Sequence, residues 1–172
     1  MSKNGIGSWG GVLLSEACAQ TNLERLDLSL NYLSDQGIRD FARYLDSKTK
    51  APTLLSLDLG SNAFGGIGFG NLADKLSRNF TLQQLILDGN ALGGKRLITL
   101  KNFLPCSAIQ KLSLRNCELD DESIEMIKHV IKKNQSLRSL DLSKNFIYAK
   151  GVRVLIDGLF GHPNLNSLNL GS

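Results

Sequence analysis

The spacing Gly5-Ile6-Gly7-Ser8-Trp9-Gly10 is that of a phosphate cradle, in which glycines let a turn and a helix start close around a pyrophosphate. Glu24 even follows near the distance of a ribose-binding acid. That chemistry needs a strand ahead of the turn, and only four residues precede Gly5, so the segment is expected to be loop and helix. His129 and His162 lie far apart in the chain, and Cys18, Cys106 and Cys117 have neither the paired spacing of zinc ligands nor the density of a disulfide framework. Cys106 follows Pro105 with no histidine nearby in sequence, so no nucleophile–base pair is assembled by spacing. The expectation is a chain that is not an enzyme, with no metal and no cofactor.

Binding chemistry has more candidates. Asn79-Phe80-Thr81 and Asn134-Gln135-Ser136 read as glycosylation acceptors, yet both precede a leucine-rich segment at the same offset, which predicts a structural role in turning the chain. The net charge is +4, with Lys128, Lys132 and Lys133 in one segment and Lys95, Arg96 and Lys101 in another. Glu122 and Glu125 share the first segment and no aromatic residues interleave to stack bases, so a solvated helix face is expected, not a nucleic-acid site.

These residues have to be positioned by something, and the chain is repetitive. Of 172 residues, 32 are leucine. Leu23-Glu24-Arg25-Leu26-Asp27-Leu28-Ser29-Leu30-Asn31 recurs as 54–62, 82–90, 109–117 and 137–145, and a sixth copy begins at Leu165. The pattern is L-x-x-L-x-L-x-x-N/C, with intervals of 31, 28, 27, 28 and 28 residues between first positions. In x-L-x-L-x the leucines point one way and the intervening residues the other, as in a short strand with one buried face. Asn31, Asn62, Asn90 and Asn145 fall where each strand turns away and are expected to bond loop backbone groups, with Cys117 as a small buried substitute.

Helical spacing follows each asparagine: Leu33, Ile38, Phe41 and Leu45 in one unit, Leu119, Ile124, Ile127 and Ile131 in another. Ser34-Asp35 and Asp120-Asp121-Glu122 are expected to cap these helices, and Gly37, Gly68 and Gly151, at one offset from the asparagine, to mark tight packing. Strand, helix and parallel strand connect right-handedly, so the units should coil into an α/β solenoid with strands on the concave face and helices on the convex face.

The stretch Asn62-Ala63-Phe64-Gly65 through Leu72-Ala73-Asp74-Lys75-Leu76 to Asn79-Phe80-Thr81-Leu82 resembles the long repeat of the ribonuclease-inhibitor-like leucine-rich repeat family, of the kind found in innate-immune receptors and bacterial effectors. The resemblance covers residues 1–172 and implies a single horseshoe domain: a partial repeat, about five full units and a truncated last strand, read as a fragment or uncapped end of a longer solenoid. It implies a non-enzymatic scaffold that binds a protein partner through its concave face. The alternatives it leaves are a regulator of a small GTPase resembling the Ran GTPase-activating protein, and a structural spacer within a larger receptor or effector.

The partner-binding residues expected on that face are Arg25, Asp27, Asp58, Gln84, Ile86, Asp88, Lys111, Ser113, Arg115, Arg138, Asp141 and Lys144. Acids, with Glu24, lie toward the amino end and bases toward the other, Arg25 and Asp141 excepted. Ordinary composition, 42% hydrophobic and 21% charged, excludes a disordered chain. No run approaches the roughly 18 apolar residues of a membrane helix, and the start lacks a secretory signal, so the expected location is the cytoplasm, or the host cytosol for a bacterial effector. Self-association through the uncapped carboxyl-terminal strand is expected as well.

Overall fold

The computed structural model describes residues 2–46 and 53–171, so residues 1, 47–52 and 172, the last of these the end of the sixth sequence copy, lie outside the described residues. Six three-residue strands, β1 (Arg25–Asp27), β2 (Ser56–Asp58), β3 (Gln84–Ile86), β4 (Lys111–Ser113), β5 (Ser139–Asp141) and β6 (Ser167–Asn169), form one parallel sheet in chain order. Every strand meets the next in the same register, so Leu26, Leu57, Leu85, Leu112, Leu140 and Leu168 stand in one row. The first five of these are buried, together with Leu28, Leu59, Leu87, Leu114 and Leu142 two residues on. On β6 the equivalent Leu168 and Leu170 are 39% and 40% exposed, for no further strand pairs beyond β6 among the described residues.

Behind the sheet run α1 (Gly7–Ala19), α2 (Ser34–Phe41), α3 (Gly66–Leu76), α4 (Asp121–Ile131) and α5 (Ala149–Leu159), with a 3₁₀ turn at Ala42–Leu45 continuing α2. The third repeat departs: its outer segment is 3₁₀-helical over Gly94–Asn102 and again over Leu104–Cys106. Its buried residues Leu97, Leu100 and Phe103 recur every third residue, the period of a 3₁₀ helix, where Ile124, Ile127 and Ile131 of α4 keep the longer α spacing. Gly5 to Gly10 is the loop and first turn of α1, with the Asn4 and Ile6 amides donating to Asn31 Oδ1 and the Gly7 amide to the Asn31 carbonyl.

The asparagines stitch the repeats together. Asn62 Oδ1 accepts the amides of Asn31 (3.2 Å) and Leu33 (3.3 Å) in the preceding repeat. Its Nδ2 donates to the carbonyls of Leu28 (2.8 Å), Leu59 (3.1 Å) and Gly60 (3.2 Å). Asn145 bonds the same way, and Asn90 does so with the Asn62 amide on its oxygen. Cys117 offers its Sγ to the Leu87 and Arg115 carbonyls but has no amide oxygen, and Leu92 donates instead to the Asn90 and Cys117 carbonyls. Burial pushes the Cys117 thiol up to about 12, which removes it from nucleophilic chemistry at neutral pH.

A second stitch joins the helix starts, and it corrects one expectation. Ser34 and Asp35 do not cap their own helix: Ser34 sits at φ 59°, and Asp35 Oδ1 accepts the amides of Gly65 and Gly68, both at 2.8 Å, in the next repeat. Asp121 likewise takes the Tyr148 amide at the start of α5, while Asp120 caps its own α4 through Ser123. Gly68 and Gly151 are the residues on which these carboxylates close: a Cβ would stand 2.6 Å from Asp35 Oδ1 and 2.2 Å from Asp121 Oδ1. Where the third repeat has Gly94 in place of the aspartate, the fourth has Ser123 in place of the glycine, and the Ser123 hydroxyl accepts the Gly94 amide at 2.7 Å.

The two glycosylation-like asparagines are buried, 3% and 1% exposed, and their amides are occupied. Asn79 donates to the Leu45 carbonyl and accepts the Thr81 and Leu82 amides; Asn134 donates to the Leu104 carbonyl and accepts the Ser136 and Leu137 amides. His162 fills the same place before β6, its Nδ1 accepting the Asn164 and Leu165 amides at 3.3 and 3.0 Å.

Truncating Asn62 to Ala removes the acceptor of the Asn31 and Leu33 amides. The Leu28, Leu59 and Gly60 carbonyls keep Asn31 Nδ2, Asn90 Nδ2 and the Leu30 amide, so the change should cost about 2 kcal/mol in chemical denaturation. The near-isosteric Cys117→Asn change supplies the missing acceptor and should raise the thermal midpoint by a few degrees, about 1 kcal/mol. Burial lowers the His162 pKa from the ordinary 6.5, so the unfolded chain binds that proton more readily than the folded one. The stability it contributes is full above about pH 6.5 and declines as pH falls toward the folded value. His162→Asn should flatten this dependence between about pH 7 and 5 in a denaturation series.

Candidate binding surface

The register sorts the outward side chains of the sheet into rows. The strand-start row is Arg25, Ser56, Gln84, Lys111, Ser139 and Ser167; the strand-end row is Asp27, Asp58, Ile86, Ser113, Asp141 and Asn169. Asp88 and Arg115 lie two residues beyond the strand ends, and Arg138 one residue ahead of β5. Eleven of the twelve sequence-predicted residues therefore share this face or its margins. Lys144 does not join them closely: it sits three residues past β5 in the left-handed turn at φ 55°, at the edge where the chain leaves the sheet.

The acids of the strand-end row are committed to the backbone. Asp27 accepts the Ser29 amide and hydroxyl at 2.9 and 2.7 Å, Asp58 the Gly60 amide at 2.8 Å, and Asp141 the Ser143 amide at 2.8 Å. Each closes the turn that takes the chain off its strand, the local bond for which aspartate suits turns. The third repeat has Ile86 there, and Asp88 compensates by accepting the Ser113 hydroxyl and the Arg115 amide of the fourth repeat. The Ser29 hydroxyl holds the Asp27 carboxyl below its ordinary value. Burial, with the Asp27 and Asp88 charges adding, pushes the Asp58 carboxyl up. Asp141 stays low although burial opposes it, because bonds from Ser143 and Asn169 and the Arg115 charge outweigh that cost.

The bases of the face are different. Among the described residues, Arg25, Lys111, Arg115 and Arg138 are exposed and make no ion pair, whereas several of the charges behind the sheet pair with one another. Asp157 takes Lys128 at 2.8 Å and Lys132 at 3.3 Å, Asp46 takes Arg78 at 2.8 Å, and Arg96 meets Glu118 at 3.5 Å. The basic run of α4 is thus partly neutralised within the chain. Charge is also divided across the strands, beyond the division along the solenoid read from the sequence: Arg25, Lys111 and Arg138 mark the strand starts, while Asp27, Asp58, Asp88 and Asp141 mark the strand ends with Arg115 among them.

A polar hollow of about 420 Å³ opens at the strand starts, lined by Arg25, Ser56, Gln84 and Lys111 with Leu55, Gln83 and Gln110. Four of these lining residues, Leu55, Ser56, Gln83 and Gln110, were not singled out in the sequence. The signal was available in the second and third positions of the repeat, where Gln83-Gln84 and Gln110-Lys111 align.

A family model described as Leucine Rich repeat matches residues 19–42, 50–73 and 133–155. The ribonuclease inhibitor of Sus scrofa is 34% identical over 143 residues, 82% of this chain and 31% of that protein. The chain is built of ribonuclease-inhibitor-like leucine-rich repeats. The same repeats occur in NACHT, LRR and PYD domains-containing protein 4C of Mus musculus, 32% identical over 165 residues, 93% of this chain and 16% of that protein. This leucine-rich repeat chain thus spans about a sixth of the length of that relative. Its fold is shared with a solved structure titled Leiomodin-1 Actin-Binding Site 2, at a TM-score of 0.64, 14% identity and 88% coverage of both chains. Among the described residues no helix is long and apolar enough to cross a membrane.

Because the acids hold turns and the bases hold nothing, the two should respond differently to truncation. Asp88→Ala should destabilise the repeats by about 1–2 kcal/mol, while Arg25→Ala stays within about 0.5 kcal/mol, both read from denaturant midpoints.

Proposed function

We propose that this chain is a non-enzymatic interaction scaffold that binds a protein partner through the sheet face, in a reducing compartment such as the cytoplasm. The observation that carries the reading is the grouping of unpaired bases on one face: Arg25, Lys111, Arg115 and Arg138 are all exposed and without an ion pair on the sheet. Behind it Lys75, Arg78, Arg96, Lys128 and Lys132 are paired, and Lys133 stands among them unpaired. Unpaired cations held on a rigid, regularly spaced sheet favour association with a complementary surface, because they meet it with little reorganisation. Six strands spaced by roughly 4.8 Å offer room for a standard interface of about 800 Å². A relative with the same repeats is named for inhibiting a ribonuclease, itself a protein, which supports the reading. Three free thiols in separate repeats, two of them buried, suit a compartment that keeps cysteines reduced.

The test is quantitative capture from native extract with three baits: the unaltered chain, the Arg115→Glu/Arg138→Glu variant, and Lys133→Glu. Lys133 is the convex control because it is exposed, whereas Lys132 pairs with Asp157 and its reversal would also alter α4 and α5. A partner held by the unaltered chain and Lys133→Glu, and recovered about tenfold less on the double variant, is the expected outcome. Equal recovery on all three baits would show that the Arg115 and Arg138 part of the sheet face is not the contact.

A further inference from the structure

Among the described residues, the strand-start hollow gathers six polar side chains of the sheet face that the fold leaves unused. At the strand ends, Asp27, Asp58, Asp88, Ser113, Asp141 and Asn169 all bond within the chain. At the strand starts, the backbone is satisfied in a fixed pattern: the Gln83 and Gln84 amides donate to the Leu55 carbonyl, and the Gln110 and Lys111 amides to the Gln83 carbonyl. The side chains of Arg25, Ser56, Gln83, Gln84, Gln110 and Lys111 make no hydrogen bond or ion pair among the described residues, yet they converge on one hollow. No carboxylate lines it; Glu24 stands next to Arg25 in the chain but not in the wall.

We propose that this hollow is the recognition subsite for an extended acidic segment of the partner protein, with carboxylates four residues apart, one on Arg25 and one on Lys111. The inference rests on the sheet-face reading above and names the partner's chemistry. Arg25 and Lys111 are three strands apart, roughly 14 Å at sheet spacing. In an extended chain, residues i and i+4 point to one side and stand about 13–14 Å apart. The side-chain amides of Gln83 and Gln84, at the start of β3 in between, both donate and accept, as a backbone laid across them requires. Arg25 presents a planar fork suited to a carboxylate, and Lys111 a mobile point charge that tolerates variation in the second acid. A nucleic-acid strand would bring anions as well, but the face rows contain no Trp, Tyr or Phe on which bases would stack.

The experiment is an NMR titration of the isotope-labelled chain with the blocked peptide Glu-Ser-Gly-Ser-Glu, its Gln-Ser-Gly-Ser-Gln counterpart and an oligothymidylate. Saturable shifts at the Ser56, Gln84 and Lys111 amides are expected with the acidic peptide alone, weakening as salt rises from about 0.05 to 0.5 M. Arg25→Glu/Lys111→Glu, folded by circular dichroism because both side chains are exposed, should bind the acidic peptide about tenfold more weakly. Absence of these shifts, equal affinity in the variant, or tighter binding of oligothymidylate overturns the proposal. The same variant used as bait separates this failure from the broader one. If the captured partner is lost with Arg115→Glu/Arg138→Glu and kept with Arg25→Glu/Lys111→Glu, the sheet face stands and the subsite falls; if neither variant releases it, both fall.

Discussion

An amide side chain at the turn after the strand, present in all but the Cys117 repeat of the first five, makes the solenoid possible. A strand of three residues must turn sharply to reach its helix, and that turn exposes backbone amides and carbonyls to the next repeat instead of to water. Asn62 satisfies both sides at once, its oxygen taking amides from the repeat before and its nitrogen serving carbonyls of both repeats. No hydrocarbon side chain can do this, and a longer amide would not fit a place that is wholly buried. Each repeat is therefore completed by the following one, and the leucine rows are held in register by polar bonds that tolerate no slip.

The helix starts obey a complementary rule. The carboxylate of Asp35 or Asp121 reaches into the next repeat and needs the space left by Gly68 or Gly151. Gly66 faces Arg96 and Gly94 faces Ser123, so a small residue in one repeat meets a larger one in its neighbour at each of these junctions. Irregularities in the pattern thus come as matched pairs across a seam. The third repeat gathers several of them: its apolar residues keep a period of three, its outer segment winds as a 3₁₀ helix, and the asparagine that should complete its turn is Cys117.

These demands also decide which residues are available for recognition. Leucines fill the core, asparagines hold the seams and strand-end aspartates close turns, which leaves the variable positions at the strand starts. That is why charge on the sheet face divides by chemical duty: the acids there have intramolecular work, and the bases have none. The concave surface is polar and without aromatic anchors, so the association proposed for it would rest on charge and hydrogen bonding rather than on hydrophobic burial.

The leucine spacing of a nine-residue motif and its return every 27 to 31 residues were enough to determine the strand, its inward face, the buried asparagine and the α/β solenoid, because periodicity of burial is a property of the chain itself. The order and parallel direction of β1 to β6 followed from the same repeat. The sequence could not show that Asp35 caps the helix of the next repeat, since the partner amides lie 30 and 33 residues away and only stacking brings them near. Nor could it separate the aspartates that hold turns from the bases that stand free, because both occupy solvent-facing positions of one pattern. That distinction is made by distances between repeats, and so the hollow between Arg25 and Lys111, assembled from four strands, exists only in the tertiary structure.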